Sequence, residues 1–207
     1  SRDDWSRLTK AAADLARLHV WIDDSPGLGL LELRAKVRRL QAEFDKTDSE
    51  GRAIRRVGLV VIDYLQLLST HDGSGREMSR VAEISKITRQ IKILARDMGK
   101  PILLLCQMSR AIESATGNRQ PILADLRESG SIEQDADIVL FVYREEYYVR
   151  GLEPKRPVES DSSDVFDKHN EWLRKLQTVE NLAEVIVAKQ RHGPIGIVTD
   201  RKSTRLN

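Results

Sequence analysis

Residues 57–68 read Val57-Gly58-Leu59-Val60-Val61-Ile62-Asp63-Tyr64-Leu65-Gln66-Leu67-Leu68. An apolar run, rich in β-branched side chains, continues without a polar break into a single aspartate. Runs of this length and character read as strands buried on both faces, the habit of parallel sheets. A carboxylate in the middle of such a strand is costly to desolvate, so Asp63 is expected at its C-terminal end. In open α/β sheets that edge is where ligands bind. An aspartate there serves either as a Mg²⁺ ligand at a nucleotide site or as the N-cap of the next helix, and the run alone leaves both open.

The rest of the chain alternates helix and strand around this run. Residues 3–18 carry Trp5, Leu8, Ala12, Leu15 and Leu18 at helical spacing. A short strand is expected at 19–22, closed by the turn-forming Asp23-Asp24-Ser25-Pro26-Gly27. Residues 30–44 return to helix, with Leu31, Val37, Leu40 and Phe44 on one side and Arg34, Lys36, Arg38 and Arg39 on the other. Such a basic run reads first as a solvated face. A polar loop, 71–76, precedes Ser79, which opens a helix striped by Val81, Ile84, Ile87, Ile91, Leu94 and Met98 and ended by Gly99. Strands are expected at 102–106, 137–143, 184–188 and 195–198, the last two joined by His192-Gly193-Pro194. Residues 150–181 are polar and read as an inserted surface excursion holding a short helix around Phe166, Trp172 and Leu173. The pattern predicts an α/β fold with a mainly parallel central sheet flanked by helices and a C-terminal antiparallel hairpin.

A chain of 207 residues is long enough for one substantial core. With 40% apolar and 32% charged residues it falls in the globular class rather than the disordered or membrane classes. No apolar run approaches the roughly 20 residues that span a bilayer. The single cysteine, Cys106, precludes an internal disulfide and fits a reducing cytoplasm, where it reads as a packed thiol. A net charge of +2 leaves any nucleic-acid argument to local arrangement.

Three further stretches give the Asp63 run a specific context. They are Leu105-Cys106-Gln107-Met108-Ser109-Arg110, then Asp125-Leu126-Arg127-Glu128-Ser129-Gly130-Ser131-Ile132-Glu133-Gln134-Asp135-Ala136-Asp137, and Ala188-Lys189-Gln190-Arg191-His192-Gly193-Pro194. In this order they strongly resemble the C-terminal motor domain of the replicative DnaB-type hexameric DNA helicases, a RecA-like P-loop NTPase fold, over roughly residues 1–198. The resemblance implies ATP and Mg²⁺ as cofactors, single-stranded DNA as a partner, a homo-hexameric ring, and contacts with a primase and a helicase loader, with no membrane. It implies that Asp63 is the Walker B carboxylate holding Mg²⁺ and that Gln107 senses the γ-phosphate. Arg127, Glu128 and Gly130 match the single-strand-binding loop. There Arg127 pairs with a phosphate, Gly130 lets a backbone N–H approach another, and Glu128 orients Arg127 or an amide. Lys189 and Arg191, two apart after an apolar strand, project to one side. They correspond to the pair that reaches the neighbouring subunit's nucleotide, Arg191 as arginine finger and Lys189 as its companion.

Two departures accompany the resemblance. No Gly-x-x-x-x-Gly-Lys-Ser/Thr occurs; Met98-Gly99-Lys100-Pro101 is a helix end. The family's phosphate loop and water-polarising glutamate are therefore expected upstream of Ser1, which makes the chain N-terminally incomplete. Residues 199–207 are polar and are expected to lie outside the fold. Two rival readings are a RecA-type recombinase-like ATPase and a non-catalytic DNA-binding or helicase-decoy protein.

Overall fold

The computed structural model describes residues 2–25, 27–51, 53–69, 79–108 and 120–201, with side chains at all of these except 2–3, 53–55 and 127–129. The expected loop at 71–76, the Ser109-Arg110 end of the second motif, the side chains of Arg127 and Glu128, and residues 202–207 lie outside the description. In chain order the elements are α1 (Arg2–Arg17), α2 (Leu30–Phe44), β1 (Lys46–Thr47), β2 (Ala53–Arg55), β3 (Val60–Ile62), α3 (Arg80–Met98), β4 (Ile102–Leu104), α4 (Gly130–Asp135), β5 (Ile138–Tyr143), α5 (Glu145–Gly151), α6 (Ser163–Val179), β6 (Leu182–Gln190) and β7 (Gly196–Arg201). Short 3-10 turns at Leu65–Leu67 and Leu123–Ser129 follow β3 and precede α4. Among the described residues no helix is long and apolar enough to cross a membrane.

The α/β class expected from the alternation is borne out. Among the described residues, parallel pairing is found between β3 and β4, in the register Val60↔Ile102, Val61↔Leu103 and Ile62↔Leu104. β5, β6 and β7 form an antiparallel sheet in that order, which includes the expected C-terminal hairpin. Two cores result. The first joins Leu33 and Val37 of α2, Ile62, Leu65 and Leu68 around the end of β3, and Ile84, Ile87, Ile91, Leu94 and Met98 of α3. The second forms where Val139, Phe141 and Tyr143 of β5 meet Ile186 of β6, with Met108, Leu126 and Tyr148 against them.

α3 follows its sequence closely. Ser79 accepts from the Ala82 amide as N-cap, and Gly99 closes the helix in the left-handed region at φ 61°, where a Cβ would be strained. Val81, expected on the buried stripe, is exposed. The basic side of α2 is largely engaged: Arg34 and Arg38 reach Asp97 of α3, and Lys36 pairs with Asp23 at 2.8 Å.

Several expectations are corrected. Residues 19–22 form no strand, for among the described residues they pair with none, and Val20, Trp21 and Ile22 are exposed. A strand needs a ladder partner as well as an apolar sequence. The strand before Asp63 is shorter than 57–62 and is covered on one face only. Ile62 is buried by α2 and α3, while Val61 and its partner Leu103 stay exposed on the other face. Residues 150–181 are surface structure but largely helical, with α6 running 17 residues and the Trp172 indole donating to the Val149 carbonyl at 2.7 Å. β7 carries on through Thr199, Asp200 and Arg201, opposite Glu184, Ala183 and Leu182, so these three belong to the sheet. Their polarity is no obstacle, because every residue of β7 is exposed and pairing uses the backbone.

Candidate functional site

The parallel register of β3 and β4 brings two of the expected site residues to one sheet edge. Asp63 follows Ile62 directly, and Gln107 lies three residues past Leu104, the partner of Ile62. Beyond the last ladder pair, the Leu105 amide donates to the Ile62 carbonyl at 2.9 Å and the Leu65 amide to the Leu105 carbonyl at 2.8 Å. Both Asp63 and Gln107 are exposed. The Asp63 carboxylate makes no hydrogen bond or ion pair among the described residues, and so it is not an N-cap there. The Asp63–Tyr64 peptide is cis. Cys106 faces the first core between these segments, and burial pushes its thiol pKa up, which fits a packed thiol rather than a nucleophile.

A metal at this edge would have few protein ligands. Among the described residues no group of three or more His, Cys, Asp or Glu side chains converges. That donor set suits Mg²⁺ at a nucleotide, which takes one or two carboxylates and draws its other oxygens from phosphates and water. Asp63, a hard-oxygen ligand open to solvent, fits that role.

The second group gathers at the C-terminal end of α4. Lys189 donates to the Ala136 carbonyl at 2.8 Å and to the Glu133 carbonyl. A guanidinium N–H of Arg191 reaches the Gln134 carbonyl at 3.4 Å, and its other terminal nitrogen lies 3.6 Å from the Asp137 carboxylate. The Arg191 amide also donates to the Asp137 carbonyl at 2.9 Å. Cations are favoured at these carbonyls because helix C-termini carry unpaired acceptors and partial negative charge. α3 holds the same corner: Thr88 donates to the Asp135 carboxylate at 2.7 Å, and Lys92 is bonded to Asp137. The Lys92 contact first, then the charges of Lys92, Arg191 and His192, hold the Asp137 carboxyl below the usual aspartate range.

The expected common side for Lys189 and Arg191 is thus found, with a refinement. Val139 pairs Lys189 but Leu140 pairs Val187, so Ala188 is an extra residue that bulges β6. Bulges re-aim the side chains beside them, and here the strand delivers Lys189 to α4. Gly130 opens α4 at its other end, and a Cβ built there would meet nothing within 4 Å. No hydrogen bond or ion pair among the described residues joins Asp63 or Gln107 to Lys189 or Arg191.

Sequence reasoning singled out neither Gln66 nor the Thr88, Lys92, Asp135 and Asp137 set. Gln66 did leave a signal, a lone amide inside Leu65-Gln66-Leu67-Leu68. The other four come from separate elements, and only the fold joins them.

With this geometry in place, comparison with known proteins is decisive. The model of the DnaB-like helicase C-terminal domain matches residues 1–204. The chain belongs to that family. A replicative DNA helicase DnaB of Rickettsia prowazekii is 43% identical over 199 residues, 96% of this chain and 36% of the relative. Among solved structures, a DnaB-like replicative helicase described with its primase interactions superposes with a TM-score of 0.69 at 32% identity, over 95% of this chain and 39% of that one. A solved ATPase domain matches equally well, at TM-score 0.69 and 32% identity, over 95% of this chain and 56% of its own. The chain spans about a third of the length of the curated relatives it matches. The DnaB-like assignment expected from the four sequence stretches is borne out.

Proposed function

We propose that this chain is the motor portion of a replicative, ring-forming DNA helicase of the cytoplasm. In that assembly ATP hydrolysis at subunit interfaces drives translocation on single-stranded DNA and duplex unwinding. The observation carrying this reading is the family match over residues 1–204. The placement of Asp63 and Gln107 just past the paired ends of two neighbouring parallel strands supports it. Asp63 would hold Mg²⁺, whose charge neutralises the phosphates. Gln107, exposed after the neighbouring strand, has an amide suited to a γ-phosphate oxygen. Lys189 and Arg191 would act in trans on the nucleotide of the neighbouring subunit, which accords with the lack of any hydrogen bond or ion pair, among the described residues, between them and Asp63 or Gln107. Arg127, Glu128 and Gly130 would line the channel around single-stranded DNA. A homo-hexamer, a primase and a loader are the partners this reading carries. The family match favours it over the recombinase alternative.

The DNA assignment is tested by salt dependence in protein of the relatives' full length. Arg127→Ala should weaken single-strand binding regardless of sequence and flatten the slope of log affinity against log salt by about 0.7, one single-strand phosphate contact. An unchanged affinity and slope would put Arg127 outside the channel.

A further inference from the structure

Gln66 occupies an unusual place. β3 ends at Ile62 and the chain turns into the 3-10 turn Leu65–Leu67, while β4 ends at Leu104 and is followed by Leu105, Cys106 and Gln107. After the Leu65 amide, which still donates to the Leu105 carbonyl, no main-chain hydrogen bond joins the two segments among the described residues. The Gln66 side chain does. Its amide nitrogen donates to the Gln107 carbonyl at 2.9 Å, and its amide oxygen accepts from the Gln107 N–H at 3.4 Å. Only one orientation of the amide satisfies both bonds, so the pattern fixes which atom is oxygen. The nitrogen also lies 3.5 Å from the Cys106 sulfur.

Gln66 is itself held in place. Leu65 is fully buried and Leu68 is 4% exposed, so apolar anchors flank it. The Leu67 and Leu68 amides close the turn onto the Tyr64 and Leu65 carbonyls. From the first turn of α3, Arg80 donates to the Gln66 carbonyl at 3.2 Å while paired with Glu83 at 2.6 Å. With its backbone so anchored, Gln66 has only side-chain freedom left to lose on gripping a neighbour.

We propose that Gln66 is the positioning residue for Gln107. Its amide stands in for a missing peptide group, extends the β3–β4 ladder past its backbone end, and fixes residue 107 relative to Asp63. The strut stands on geometry alone; its consequence for turnover rests on the sensor reading of Gln107. Gln107 also separates Cys106, on the first core, from Met108, on the second. A strut at that point sets where the exposed amide sits while the two cores hold its flanks.

The test uses Gln66→Met, which keeps the side-chain volume and removes both bonds. In this chain, amide hydrogen exchange at Gln107 should quicken by about two- to threefold, the low end for loss of a hydrogen bond because the one at the Gln107 N–H is long at 3.4 Å, while Leu105, bonded to the Ile62 carbonyl, stays protected. Unchanged exchange at Gln107 would overturn the strut. In protein of the relatives' full length, Gln66→Met should lower kcat for DNA-stimulated ATP hydrolysis with KM for ATP nearly unchanged. Combining it with Gln107→Ala should add no further loss, because both changes disable one unit. Additive losses would overturn the positioning role. A silent Gln107→Ala would remove the sensor assignment instead, and the exchange result would then decide the strut by itself.

Discussion

Lys189 and Arg191 share a corner but are bound to it unequally, and the difference predicts different behaviour on mutation. Lys189 is half-buried and satisfies carbonyls at the end of α4 that would otherwise lack partners. Arg191 is exposed, and its side-chain contacts are long, at 3.4 and 3.6 Å. Lys189→Ala should therefore lower the unfolding free energy by about 1 kcal/mol, the usual worth of such a bond when partly solvated. Arg191→Ala should change it by less than about 0.5 kcal/mol. Urea unfolding of both variants measures this, and equal losses would contradict the asymmetry. A slow Arg191→Ala enzyme is then a functional result, whereas a slow Lys189→Ala enzyme needs its stability measured first. The sequence already placed this pair on one side of a strand. What it could not reveal is the bulge at Ala188 or the carbonyls of α4, since these depend on the register of β5 against β6.

Among the elements, α5 depends on one carboxylate. Glu146 is 6% exposed and takes hydrogen bonds from Arg150 at 2.8 Å, the Asn181 amide at 3.0 Å and Arg144 at 2.9 Å. It thereby ties α5 to the turn between α6 and β6. Arg150 first, then the Asn181 amide and Arg144, lower its pKa to about 2. In the unfolded chain the carboxyl returns to the ordinary glutamate range. Between those two values the unfolded state binds more protons, so stability falls as pH falls. Above the ordinary glutamate value the contribution is complete and flat. The stability gap between the wild type and Glu146→Gln should thus be steady from neutral pH down to about pH 5 and then close toward about pH 2. A gap independent of pH across that range would contradict the account. α5 also marks a limit of sequence reading: its seven residues carry too few turns for a stripe, and the strands β1 and β2, at two and three residues, are shorter still. α2 and α3 were legible because 15 and 19 residues give several turns of pattern and, for α3, a cap at each end.

In the whole molecule, two cores meet where the β4 segment hands Cys106 to one and Met108 to the other, with Gln107 exposed between them. Apolar runs and motif order made the Asp63–Gln107 edge legible, because a parallel pair aligns the ends of its strands. The Gln66 strut was not legible, for it depends on a turn and on a contact 41 positions away in the chain. The central claim is that one subunit supplies Asp63 while its neighbour supplies Arg191. Two variants of the relatives' full length test it most directly, Asp63→Ala and Arg191→Ala, each assayed alone and then together after subunit exchange. Some interfaces of mixed rings pair an intact Asp63 with an intact Arg191 from the next subunit. An arginine acting within its own subunit gives no such combination. The account predicts DNA-stimulated ATP hydrolysis by the mixture well above the sum of the separate variants. Activity no greater than that sum, in rings shown to have exchanged subunits, would contradict it.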